Sequence, residues 1–164
     1  MKLRKSIDFR KVVYVLYSFC FAVYLIIGLK PVAQATNYEI SGNLIIPSIG
    51  LSSVVTTLRL SDHKLDTPDT IVGSFTKNNN NTLLIGHAST VFYNLDKISL
   101  GDEINYETKS YTVIGVEVLS KNEIEMNSLL KAEAQPTIIL MTCAGENLGG
   151  GDATHRLIVK AQAL

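Results

Sequence analysis

The chain has 164 residues, 15 Lys/Arg against 15 Asp/Glu, and a formal net charge of zero. That length supports one compact domain with a short extra segment and excludes two full domains. The zero conceals an asymmetry: residues 1–11 hold five basic residues (Lys2, Arg4, Lys5, Arg10, Lys11) and Asp8, whereas residues 36–164 hold nine basic and fourteen acidic residues, a net of −5. An acidic globular part offers no electrostatic footprint for DNA or RNA, so nucleic-acid binding is set aside.

The first element is an apolar run. Residues 12–29 read VVYVLYSFCFAVYLIIGL, without a charge, flanked by Arg10-Lys11 and by Lys30-Pro31. As a helix this run spans about 27 Å, close to the hydrocarbon thickness of a bilayer. The denser positive cluster precedes it, which predicts a cytoplasmic N-terminus and an extracytoplasmic remainder. Two readings stand. One is an uncleaved single-pass anchor. The other is a signal peptide cleaved near Ala33-Gln34-Ala35. The run exceeds the usual length of a signal-peptide core, which favours the anchor. The expected organisation is a basic cytoplasmic tail over 1–11, a transmembrane signal-anchor over 12–30, a linker over 31–39 and a globular domain over 40–164.

The two cysteines are Cys20, inside the apolar run, and Cys143, the only cysteine of residues 36–164. Outside the cytoplasm a thiol with no disulfide partner risks oxidation and is uncommon unless used. The plainer reading is a small buried hydrophobe.

From residue 40 the pattern is strand-like almost throughout. Leu44-Ile45-Ile46 runs into Pro47, and Val54 to Leu58 is β-branched. Thr82-Leu83-Leu84-Ile85 runs into Gly86, after a polar loop at Lys77–Asn81. Ser89 to Ile98 spaces Val91, Phe92, Leu95 and Ile98 for a short helix or helical turn. Glu103–Tyr106 and Tyr111–Leu119 flank a turn at Thr108-Lys109-Ser110. Glu123 to Lys131 fits a second short helix loosely. Thr137–Thr142 is apolar at nearly every position, as in a strand buried on both faces. The four glycines between Ala144 and His155 predict a mobile connection, and Arg156–Ala161 a last strand. Many short strands and few helices predict an all-β barrel or sandwich.

The residues able to carry chemistry are few. Cys143 ends a strand and opens a Gly-rich loop, where a thiolate could attack a carbonyl given a base or cation nearby. His87 follows Leu83-Leu84-Ile85-Gly86 and could exchange protons near neutral pH; the alternative is a structural histidine. Arg156 opens the strand after the Cys143 loop and could donate to an oxyanion; the alternative is a solvated strand-end charge. Adjacent strand residues face opposite sides, so His155 and Arg156 are not expected to share the site. His63, in Asp62-His63-Lys64, reads as surface loop. One cysteine and scattered histidines give no zinc spacing. Gly149-Gly150-Gly151 lacks the Lys-Ser/Thr of a phosphate-binding loop.

Taken in order, these pieces resemble the sortase family over roughly residues 40–162. Leu44–Leu51 resembles its early strand with an I-P-x-I core. Gly86-His87 followed by Phe92, Leu95, Ile98, Gly101-Asp102 and Ile104 resembles its run from the catalytic histidine into the next strand. Tyr111-Thr112-Val113 resembles the strand that follows. Leu140-Met141-Thr142-Cys143 resembles T-L-x-T-C, and Arg156–Ala161 the strand that opens on the catalytic arginine. Ile139 departs from that motif's first threonine, Asp62 to Phe75 lacks the Gly- and Pro-rich form often found there, and the Cys-to-Arg loop is short. These departures leave subclass and exact substrate open.

The resemblance implies a closed eight-stranded β-barrel with one or two short helices. It also implies a membrane-anchored cysteine transpeptidase with Cys143 as nucleophile, His87 as proton-transfer partner and Arg156 as electrostatic support. Its substrates would be proteins with a C-terminal LPXTG-like sorting signal, and its acceptor an amine of a cell-wall precursor or a pilin lysine. No cofactor or metal takes part. Two other readings remain at this level: a non-catalytic membrane-tethered barrel that binds wall polymer or a partner, and a cysteine hydrolase.

Overall fold

The computed structural model describes residues 39–61, 64–65, 67–78, 80–150 and 152–164. The expected basic tail, the apolar span with Cys20, the linker up to residue 38, and His63 lie outside the described residues. Among the described residues no helix is long and apolar enough to cross a membrane.

Among the described residues ten strands form: β1 (Ile40–Ile46), β2 (Leu51–Thr57), β3 (Leu60–Ser61), β4 (Lys64–Leu65), β5 (Val72–Asn78), β6 (Asn81–Ile85), β7 (Glu103–Tyr106), β8 (Lys109–Ser120), β9 (Thr137–Gly149) and β10 (Asp152–Ala163). Eight of them close into a barrel in the order β1-β2-β5-β6-β9-β10-β8-β7, while β3 and β4 pair separately. Closure pairs the backbone of every barrel strand on both sides and removes exposed edges. The barrel expected from the sequence is therefore present. Among the described residues the helical content is one short helix, α1 (Met126–Leu129), and 3-10 turns at Pro47–Ile49, Leu95–Lys97 and Lys121–Glu123.

Most barrel neighbours are antiparallel, but β2–β5 and β6–β9 are parallel. The β6–β9 pair positions the site. Leu83 stands level with Ile139, Leu84 with Leu140 and Ile85 with Met141, so two sequence-distant strands run side by side toward one rim.

The alternation of side chains sorts these strands into two faces. Leu84, Ile138, Leu140, Leu157, Val159 and Ala161 point inward to the main core, with Leu44, Ile46, Val55, Val72 and Val113 from the rest of the wall. Each large apolar side chain fully buried there contributes about 1.5–3 kcal/mol. Leu83, Ile139 and Ile158 point outward, yet all are buried, because the segment between β8 and β9 lays Leu130 over them. Phe75, Ile85, Leu119, Ile124, Leu129 and Met141 pack around this second, outer cluster.

One strand has no counterpart in the sequence reading, and two local expectations are corrected. A strand, β5, occupies Val72–Asn78, where polar residues and Gly73 break the apolar pattern. A Cβ at Gly73 would come within 2.5 Å of the Leu58 side chain, so a glycine there lets Leu58 lie across the strand. The predicted polar loop at Lys77–Asn81 contracts to a tight hairpin, with Asn78 paired to Asn81. The predicted mobile connection after Cys143 is instead a continuation of the β9–β10 ladder, from Arg156↔Cys143 out to Asp152↔Gly149, so Cys143 does not end its strand and Arg156 does not open the last one. Ladder hydrogen bonds come from the backbone and need no apolar side chains. Register shifts around Ala153 take up the irregularity.

Candidate active site

Cys143 lies on β9 directly opposite Arg156 on β10. It shares the outward parity of Ile139 and Met141, and Arg156 shares that of Ile158. His87 follows β6, and the β6–β9 register carried two residues past Ile85↔Met141 sets His87 level with Cys143. Two bonds hold this register beyond the strand end. The Gly86 N–H donates to the Met141 carbonyl at 3.3 Å, and the buried Thr142 hydroxyl donates to the Gly86 carbonyl at 2.7 Å across 56 residues of sequence. The residues preceding His87 and Cys143 are thus tied to each other.

The turn after His87 fixes its backbone. The His87 carbonyl accepts from the Thr90 and Phe92 N–H groups at 3.2 and 3.0 Å. Phe92, Leu95 and Ile98 are buried below, as their spacing predicted. A Cβ on Gly86 would meet Val91 at 2.6 Å and Phe92 at 2.7 Å, so glycine is what lets the turn fold back over the strand end.

His87 and Cys143 line one pocket of about 200 Å³, with Ala88, Ser89, Ala144, Gly145, Asn147, Asp152 and Ala153. The Cys143 thiol is half-buried and in no disulfide. The His87 ring is 31% exposed, and its Nε2 lies 3.8 Å from the Asp69 carboxylate, an ion pair when the imidazole is protonated. The Thr90 hydroxyl donates to the Asp69 carbonyl, fastening that loop to the turn that carries His87.

Arg156 is beside the pocket but does not line it. Its side chain runs back along its own strand. Nη1 donates to the Ala153 and His155 carbonyls at 2.9 Å each, and Nη2 donates to Asp152 Oδ1 at 2.7 Å. Asp152 accepts on its other oxygen from Lys121 Nζ at 2.5 Å. Lys121 first, then Arg156, then the Ala153 N–H hold the Asp152 carboxyl well below the usual carboxylate range. His155 is outside the pocket, with Nδ1 2.8 Å from the Thr154 hydroxyl.

The sequence therefore identified three side chains that the fold gathers at one rim, two within the pocket and one behind it. It missed Asp152, Lys121 and Asp69. Residues four apart on an extended strand are about 13 Å apart, so Asp152 and Arg156 carry no pairing signal. Only the ladder irregularity and the backward run of the arginine bring them together.

The barrel, with a thiol within β9 and an imidazole just past the end of the parallel strand β6, defines a class of cysteine-bearing β-barrel proteins. The sortase domain model matches residues 44–164, and the chain belongs to the sortase family. No curated protein matches it. Among solved structures it is similar to sortase A from Corynebacterium diphtheriae (21% identity, TM-score 0.60), covering 80% of this chain and 63% of that one. A sortase D5 transpeptidase from Clostridium perfringens is 24% identical, with a TM-score of 0.61 over 77% of this chain and 79% of that one. Sortase C1 from Streptococcus agalactiae is 20% identical, with a TM-score of 0.61 over 97% and 89%. Proteins of three lettered classes thus fit the fold about equally well.

Proposed function

We propose that this chain is a membrane-anchored, extracytoplasmic cysteine transpeptidase acting on proteins with LPXTG-like sorting signals. The observation that carries the reading is the pocket shared by Cys143 and His87. It stands on the same face as the half-exposed outer apolar residues Ile85 and Met141, at the edge of the β8–β9 segment. An extended peptide with an apolar residue a few positions before the scissile bond would lay that residue on these side chains.

Cys143 Sγ attacks the carbonyl carbon of the signal's threonine. The peptide C–N bond breaks, and His87 passes a proton to the leaving amine, giving a thioester. An incoming amine, from a cell-wall precursor or a pilin lysine, attacks the thioester. The new C–N bond forms, the C–S bond breaks, and the amine's proton returns through His87. Arg156 supports the oxyanion or positions the signal: of its five N–H donors, three are held by Asp152 and the two carbonyls, leaving two for substrate. The chemistry requires no cofactor. Residues 12–30 act as the single-pass anchor and 31–39 as the tether of the catalytic domain 40–164.

The test is incubation of the full-length chain with a library of sorting-signal peptides and amines, with products identified by mass. Amide products that disappear in Cys143→Ala are expected. Free acid alone, with amine abundant, would replace this reading by a hydrolase. A Cys143 that resists a small alkylating agent in the folded chain and yields no product would replace it by a binding module.

A further inference from the structure

Arg156 is anchored by a second charged group, Asp152, which is anchored in turn by a third, Lys121. Asp152 receives Arg156 Nη2 on Oδ1 and Lys121 Nζ on Oδ2. Asp152 also accepts the Ala153 N–H on Oδ1 at 2.9 Å, which fixes the carboxylate plane against its own strand. The three residues come from three places: Lys121 from the 3-10 turn after β8, Asp152 from the first position of β10 and Arg156 from the site itself. Asp152 lines the pocket with Cys143 and His87, while the Arg156 side chain is only 16% exposed behind it.

We propose that Asp152 is a positioning residue for the reaction, holding the Arg156 guanidinium in one rotamer beside Cys143, with Lys121 holding Asp152. An arginine opposite Cys143 has several rotamers, and fixing it costs side-chain entropy at each turnover unless something holds it beforehand. Asp152 and the two carbonyls occupy one edge of the planar guanidinium, which sets the direction of the two donors left over. Asp152 also offsets the arginine's charge in part, so that its field at Cys143 is that of a paired cation. The low proton affinity of Asp152 keeps this arrangement charged across the neutral range. Lys121 belongs to the start of the β8–β9 segment, whose Ile124 packs against the outer apolar cluster. A peptide that moves this segment would act on Arg156 through Lys121 and Asp152.

The kinetic arm of the test rests on the function proposed above; the spectroscopic arm does not. In the full-length chain, Asp152→Asn should lower kcat about tenfold with KM changed less than about twofold. Asp152→Glu should recover part of that loss, and Lys121→Ala should cost less than Asp152→Asn. In an Arg156→Ala background, followed by mass-detected single-turnover acylation, Asp152→Asn should have no further effect. An equal loss with and without Arg156 would overturn the proposal. Without any substrate, the Arg156 side-chain nitrogen resonances should report restricted rotation in the unaltered chain and averaged rotation in Asp152→Asn. Free rotation of Arg156 in the unaltered chain would overturn it. Absence of turnover in the unaltered chain, with Arg156 rotation restricted and released by Asp152→Asn, would defeat the transpeptidase reading and leave the clamp standing.

Discussion

The two faces of β9 make the instructive contrast. Ile138, Leu140 and Thr142 point into the barrel; Ile139, Met141 and Cys143 point out of it. Both series are apolar until their last member, yet they do different work. The inner series meets seven other strands and is sealed by closure. The outer series is covered only in part by the β8–β9 segment, which helps bury Ile139 completely while Met141 and Cys143 stay half-exposed. β6 repeats the contrast, with Leu84 inward and Leu83 and Ile85 outward, and His87 follows two residues past its end. The barrel is thus a frame whose inner residues set the height of each strand, and whose outer residues inherit that height as site geometry.

The largest test of this contrast compares histidines. His87→Ala should lower kcat/KM by ~10²–10⁴-fold. His155→Ala, outside the pocket, should retain most activity. Equal losses would assign the wrong histidine to the pocket. Next come neighbours on opposite faces. Leu140→Ala should cost about 2–5 kcal/mol in a denaturant melt, because its inner site is fully closed. Met141→Ala should cost about 1 kcal/mol or less while raising KM for peptide about tenfold. Large stability losses from both would dissolve the distinction between frame and site.

Thr142 links the faces, since its inner hydroxyl holds the strand end that carries His87. Thr142→Val keeps the shape and removes the donor to the Gly86 carbonyl. It should cost about 1–3 kcal/mol and lower kcat together with stability. A melt unchanged in this variant would mean that Gly86 and His87 are held by other contacts.

The smallest effects are those of pH. Burial first, and the Glu107 charge second, push the Tyr106 phenol from 10.0 up to about 12. A raised folded value means that its stabilisation is complete below pH 10 and is lost as pH rises toward 12. Tyr106→Phe should flatten that alkaline limb. Asp152 has the opposite sign. Its lowered value means that its contribution is present above the ordinary 3.8 and fades as pH falls below it, and Asp152→Asn should remove that acid limb. Alkaline or acid melts unaffected by these two changes would remove the groups from the account.

Much of the site was legible because its residues end apolar runs. Leu83–Ile85 before Gly86-His87 marks the end of β6, and Thr137–Thr142 before Cys143 marks the end of the apolar part of β9, and such borders on a rigid frame are where chemistry is placed. Arg156 was legible because it precedes the apolar Leu157-Ile158-Val159, although β10 begins four residues earlier. β5 was not, because its apolar pattern is interrupted at Gly73 and at Thr76 to Asn78, where pairing and the Leu58 contact decide the conformation. The Ala144–His155 segment was misread because glycine and polar residues signal a loop equally well when backbone pairing continues through them.

By itself the sequence determined the all-β class, the order of most strands, the three candidate side chains and their family. Each of these depends on residue type and on period along the chain, which are local properties. Only the tertiary structure decided that β6 and β9 run parallel in a register that levels His87 with Cys143. It alone decided that Asp152 and Lys121 stand behind Arg156, and that the half-exposed Ile85 and Met141 share a face with the thiol. Those facts depend on which backbones share hydrogen bonds across gaps of up to 64 residues, as between Glu107 and Asn43, and no local pattern encodes that choice.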